Sequence, residues 1–160
     1  MNRGSRVTQT VISCRNVSKV FGPHPKQYLA ALQADPAHAA AGYVHAVREV
    51  DLDIQRGEML VVMGLSGSGK STLVRCLSRL IEITGGVVTV EGRDIASLSE
   101  AELIELRRSK MGMVFQSFGL LPHRNILENV AFPLEMRGQD RATRYARARD
   151  MLELVGLKGR

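Results

Sequence analysis

The chain lacks the marks of several large protein classes. No apolar run approaches the length of a membrane span, and no basic-then-apolar leader opens the sequence. The expectation is a cytosolic protein, tied to a membrane only through a partner. Cysteine is scarce: Cys14 and Cys76 stand far apart and make no metal-ligand or redox spacing. Cys76 falls in an apolar helical pattern that predicts a buried, reduced thiol. Tryptophan is absent, and only three tyrosines and four phenylalanines occur in 160 residues. No series of aromatic side chains interleaves with the basic residues, which weakens the nucleic-acid reading that a net charge of +6 invites. Much of that excess lies after Pro133, in Arg137, Arg141, Arg144, Arg147, Arg149, Lys158 and Arg160, with Asp140, Asp150 and Glu153 interspersed. Arg137, Arg141 and Arg144 fit one helix face. A solvated or partner-facing helix is expected there, and no nucleic-acid partner. The length suits one domain of ordinary size with enough apolar residues for a core.

What is present is a complete phosphate-binding loop. Gly64 to Ser71 read GLSGSGKS, matching G-x-x-x-x-G-K-S/T. A polyphosphate needs several N–H donors converging on it, and glycines let the backbone come that close. The helix that follows adds its N-terminal amides and dipole. Lys70 supplies a compact charge for the β- and γ-phosphates, and Ser71 a hydroxyl for Mg²⁺. The setting supports the motif. Met59 to Met63 is a short, wholly apolar run, predicting a buried parallel strand. After the loop, Leu73, Leu77, Leu80 and Ile81 recur at helical spacing. A Gly/Ser-rich linker would not sit between two such elements.

Along the rest of the chain, Val11 to Phe21 predicts a strand closed by Gly22-Pro23. Residues 22–45 carry Pro23, Pro25 and Pro36 and many alanines, an insertion with a short helix around Gln27 to Gln33. Val50, Leu52 and Ile54 alternate with polar residues, predicting a half-exposed strand, and Val87 to Val90 predicts another. Ser99 with Glu102 suggests a capping box before a helix through Leu103, Leu106 and Arg107. Met111 to Phe115 is read as a strand. Asn125 and Glu128 suggest a further helix start, interrupted by Pro133. Tyr145, Ala148, Leu152 and Val155 mark a last amphipathic helix, stopped near Gly156.

Together these residues resemble the N-terminal part of the ATP-binding subunit of an ABC transporter. Val20-Phe21-Gly22 stands where the family places its adenine-stacking aromatic; Gly57-Glu58 precedes the loop; GLSGSGKSTL runs from Gly64 to Leu73; Met113-Val114-Phe115-Gln116 looks like the Q-loop. The stretches Met63–Glu82 and Met111–Phe132, and the 22–45 insertion, resemble the glycine betaine/proline (quaternary amine) uptake branch. The resemblance implies an α/β fold, a RecA-like P-loop NTPase core (residues 1–116) with an N-terminal antiparallel β portion. The start of an α-helical subdomain (117–160) follows, docking onto a transmembrane permease. It implies ATP and Mg²⁺ as cofactors. Gly64, Leu65, Ser66, Gly67, Ser68, Gly69, Lys70, Ser71 and Thr72 would hold phosphate and metal, Phe21 would stack on adenine, and Gln116 would reach Mg²⁺ and the attacking water. It further implies a second copy of the subunit and a place at the cytoplasmic face of the inner membrane, held through the permease. Phe118-Gly119-Leu120-Leu121-Pro122 fits either the docking surface or local core.

Departures from the family pattern are equally specific. No LSGGQ-type signature occurs, no apolar run ending in Asp-Glu follows the loop, and His123 lies too close to Gln116 to be the switch histidine. In the family these elements come later. The expectation is a truncated subunit that binds ATP without turnover, since water attack needs groups to hold the metal and orient the water. A small P-loop kinase and a non-functional remnant are the alternatives.

Overall fold

Val11, Ile12, Cys14, Val17 and Val20 give β1 (Thr10–Phe21) its apolar content, and the first part of the molecule is organised around this strand. It pairs antiparallel on one side with β2 (Val44–Gln55) and on the other with β3 (Gly85–Val90). A short β4 (Arg93–Asp94) completes the sheet order β2-β1-β3-β4. The computed structural model describes residues 9–114 and 119–158. The β1–β2 ladder is bulged. Asn16 and Glu49 have φ of 51° and 46°, a costly left-handed conformation for side-chain-bearing residues. Side chains take up the freed amides: Asp51 Oδ1 accepts from Asn16 N at 2.8 Å, and Ser18 Oγ from Glu49 N at 3.0 Å.

Two compact units divide the chain after Glu100. In the first, Cys14, Val17, Val20 and Val88 are fully buried from the sheet, with Leu73 and Cys76 from α2 (Lys70–Leu77). Cys76 is buried, as expected, and burial pushes the Cys14 thiol up to about 11 and raises that of Cys76. The insertion forms α1 (Pro25–Ala34) and a 3₁₀ turn (Pro36–His38). Its end is Tyr43 rather than residue 45: Val44 and His45 already pair with Phe21 and Val20.

Three sequence expectations change here. Met59 to Met63 is not a buried strand. It joins no ladder among the described residues, and its side chains are exposed, Met59 by 88% and Met63 by 85%. A parallel strand is stable only with neighbours beside it and helices on both faces, and no described strand pairs with this run. Met111 to Val114 likewise joins no ladder, with Val114 fully exposed; Phe115 lies outside the described residues. Finally, α2 stops at Leu77, because Arg79 turns to φ 51°, so Leu80 and Ile81 lie beyond the helix.

The second unit holds α3 (Glu100–Lys110), α4 (Ile126–Met136) and α5 (Arg141–Leu154). The Asn125–Glu128 capping box forms in both directions, at 2.9 and 3.0 Å. Pro133 does not interrupt α4: the helix runs through it to Met136. Packing against α5, with Ala131 and Ala148 wholly or almost wholly buried, outweighs the lost backbone bond. Arg137 caps α4 while Arg141 opens α5 behind the Asp140 cap, so the two do not share a helix. Asn129 holds Leu121 through its amide, and Leu120 is exposed, against the local-core alternative at that residue.

Candidate nucleotide-binding cleft

The loop between Met63 and α2 is shaped by glycines that no other residue replaces easily. Gly67 and Gly69 have φ of 80° and 87°. A Cβ on Gly69 would fall inside the van der Waals radius of Ala46 O on β2. The loop therefore lies directly against β2, and its turn delivers the chain into α2 with the first-turn amides free of intrahelical partners. Lys70, the first residue of α2, folds back over the loop. Its Nζ donates to Gly64 O at 2.8 Å, Leu65 O at 2.6 Å and Ser68 Oγ at 3.2 Å. The ammonium is thus already held over the hollow of the loop.

A cleft of about 330 Å³ opens between this loop and the ends of β1 and β2. Gly67, Ser68, Gly69, Lys70, Ser71 and Thr72 line one side. Phe21, the last residue of β1, lines the other, with Val44, His45 and Ala46 of β2. Phe21 is 41% exposed, unusual for a phenylalanine at the end of a central strand and suited to a stacking platform. Lys19 Nζ lies over its ring, 4.8 Å from the centroid. Gly64, Leu65 and Ser66 sit at the exposed start of the loop. Gln116 lies outside the described residues. Val44, His45 and Ala46 were not singled out from the sequence. Their place depends on the β1–β2 register across an insertion, which composition does not reveal.

The residues fit a magnesium nucleotide. The glycine cradle leaves room where a Cβ would intrude, and the Ser71 hydroxyl is a hard donor of the kind Mg²⁺ takes alongside water and phosphate oxygen. Among the described residues no group of three His, Cys, Asp or Glu could hold a metal; a hydroxyl-plus-phosphate site needs none.

Comparison with known proteins decides the family. The family described as ABC transporter matches residues 47–160. The chain belongs to the ABC transporter family. Among curated relatives of this cassette, the trimethylamine N-oxide transport system ATP-binding protein TmoW of Ruegeria pomeroyi is 67% identical over 94% of the chain and 45% of the relative. The glycine betaine/proline betaine transport ATP-binding protein ProV of Escherichia coli is 46% identical over 92% of the chain and 38% of the relative. The cassette thus spans under half the length of either. The solved ATP-binding cassette MJ0796, a dimer in a post-hydrolysis state bound to ADP and Pi, superposes with a TM-score of 0.75 at 30% identity. It covers 92% of this chain, which spans 58% of that one. These matches support the α/β P-loop cassette fold and remove the small-kinase alternative.

Proposed function

We propose that this cassette binds MgATP as part of the energy-coupling subunit of an importer. Its solute would be a small compound with a tetrasubstituted nitrogen, of the glycine betaine, proline betaine or trimethylamine N-oxide kind. The observation that carries the nucleotide reading is the glycine-cradled loop with Lys70 Nζ folded over it, facing Phe21 across one cleft. In this reading Gly64 to Thr72 enclose the phosphates, and the Lys70 ammonium exchanges loop carbonyls for β- and γ-phosphate oxygens. Ser71 adds a ligand to Mg²⁺, and Phe21 stacks on the base. Gln116, by the resemblance, would reach the metal and the attacking water. The nucleotide core extends to residue 116, and residues 117–160 begin the subdomain that meets a permease.

The solute class is supported by the names of TmoW and ProV. A second copy is supported by the dimeric solved cassette. Among the described residues no helix is long and apolar enough to cross a membrane. In this reading the subunit is held at the cytoplasmic face through a permease. Displacement of a fluorescent ATP analogue by ATP tests the nucleotide reading: the parent should bind and Lys70→Ala should bind at least about tenfold more weakly. Uptake by the complete system in vesicles, with glycine betaine and trimethylamine N-oxide competing, tests the solute.

A further inference from the structure

The insertion, residues 22–43, has no role in the function proposed above, yet its aromatic residues grip the cleft from behind. Phe21 and Val44 face each other directly in the β1–β2 register, so their side chains stand on one face of the sheet. Tyr43 and His45 flank Val44, and alternation turns their side chains to the other face. There both meet one residue of α1. The Tyr28 ring stacks on Tyr43 with centroids 3.6 Å apart and planes 5° apart. The Tyr28 hydroxyl lies 3.3 Å from His45 Nε2. Tyr43 also fills the space beside Gly22, where an added Cβ would come within 2.5 Å of its ring, so the same stack bears on the residue next to Phe21. Tyr28 is 6% exposed and packs with Val20 and Leu29, which fixes it in the core. A cavity of about 730 Å³ borders Tyr28, Tyr43 and His45, so along that border no packed neighbour substitutes for the stack.

We propose that Tyr28 is a positioning residue for the base-binding end of the cleft, holding the Phe21–Val44 pair through Tyr43 and His45. This rests on the nucleotide reading. Losing the Tyr28 ring and its hydroxyl frees both neighbours of Val44 and the neighbour of Phe21, so the platform wavers while the phosphate loop, anchored on Ala46 and α2, is untouched.

The test compares ATP with inorganic triphosphate on the full-length protein, by displacement of a fluorescent ATP analogue. Tyr28→Leu should weaken ATP about 2- to 10-fold, the weight of one aromatic pair, and leave triphosphate unchanged. Tyr28→Phe, which keeps the stack and loses the hydrogen bond, should recover most of the affinity. Tyr43→Leu removes the stack from a less buried position and should repeat the effect if Tyr28→Leu does not fold. Equal weakening of ATP and triphosphate, or a lowered melting temperature with both affinities unchanged, overturns the proposal. Lys70→Ala separates it from the reading beneath. If the parent binds both ligands and Lys70→Ala weakens both at least about tenfold, the phosphate site stands, and an unchanged ATP-to-triphosphate ratio in the tyrosine variants then overturns the positioning role alone. A parent that binds neither ligand overturns both.

Discussion

Gly69 is the residue at which the loop has least room. Its φ of 87° and the closeness of Ala46 O exclude a side chain without moving β2 or the loop. Gly69→Ala is therefore expected to cost about 1–3 kcal/mol of stability and to lower ATP affinity with it, read by thermal melting and analogue displacement. Lys70→Ala acts differently. It removes a charge-assisted donor and leaves the fold, so ATP should weaken by about 1.5–3 kcal/mol with little change in melting temperature. Phe21→Ala should lose about 1–3 kcal/mol for ATP, by the stacking scale of nucleic-acid bases, and Phe21→Tyr almost none. Equal losses for ATP and inorganic triphosphate would make Phe21 a packing residue instead. What the sequence reveals at this scale is the phosphate half of the candidate site, because the motif is written in eight consecutive residues. Val44, His45 and Ala46 are hidden because a strand register brings them there from across an insertion.

Among elements, those set by local chemistry are legible and those set by distant neighbours are not. β1 and β3 form where their apolar stretches place them, α5 follows its apolar periodicity, and the Asn125–Glu128 box starts α4 as its residues predict. Pro133 misleads because tertiary packing overrides a local breaker. Met59 to Met63 misleads for the opposite reason: composition describes a buried strand, but burial requires partners that lie outside the segment. The second unit also offers a test of its ion pairs. The Glu135 carboxyl is held below the usual range first by its hydrogen bond from Arg124 and also by Arg144, at 2.9 and 3.4 Å. A depressed folded-state pKa stabilises above the unfolded carboxylate value, and the gain disappears as pH falls through the folded value. Glu135→Gln should lower the melting temperature at neutral pH and converge with the parent in acid. Parallel curves at every pH would show that the pair contributes nothing.

At the scale of the whole molecule, the exposed apolar run is the dominant fact. Met59, Leu60, Val61, Val62 and Met63 are all solvent-exposed in one continuous segment beside the phosphate loop. Their backbone joins no ladder among the described residues. Such a segment is a template for pairing with another chain and a source of association. The cassette spans under half of TmoW. Residues 1–160 expressed alone are therefore expected to be poorly soluble or to self-associate, and to release no phosphate from ATP, since no Asp-Glu pair follows an apolar run after the loop. Co-expression with the part of a TmoW-like subunit that lies beyond the matched region should restore solubility by covering this run, and phosphate release with it. Light scattering and a thermal melt decide the first point, and a phosphate assay with Lys70→Ala as control decides the second. A chain of 160 residues that is monomeric and melts cooperatively without nucleotide would mean that the apolar run is covered by this chain itself. Phosphate release abolished by Lys70→Ala would mean that the loop acts with residues not yet assigned to the chemistry.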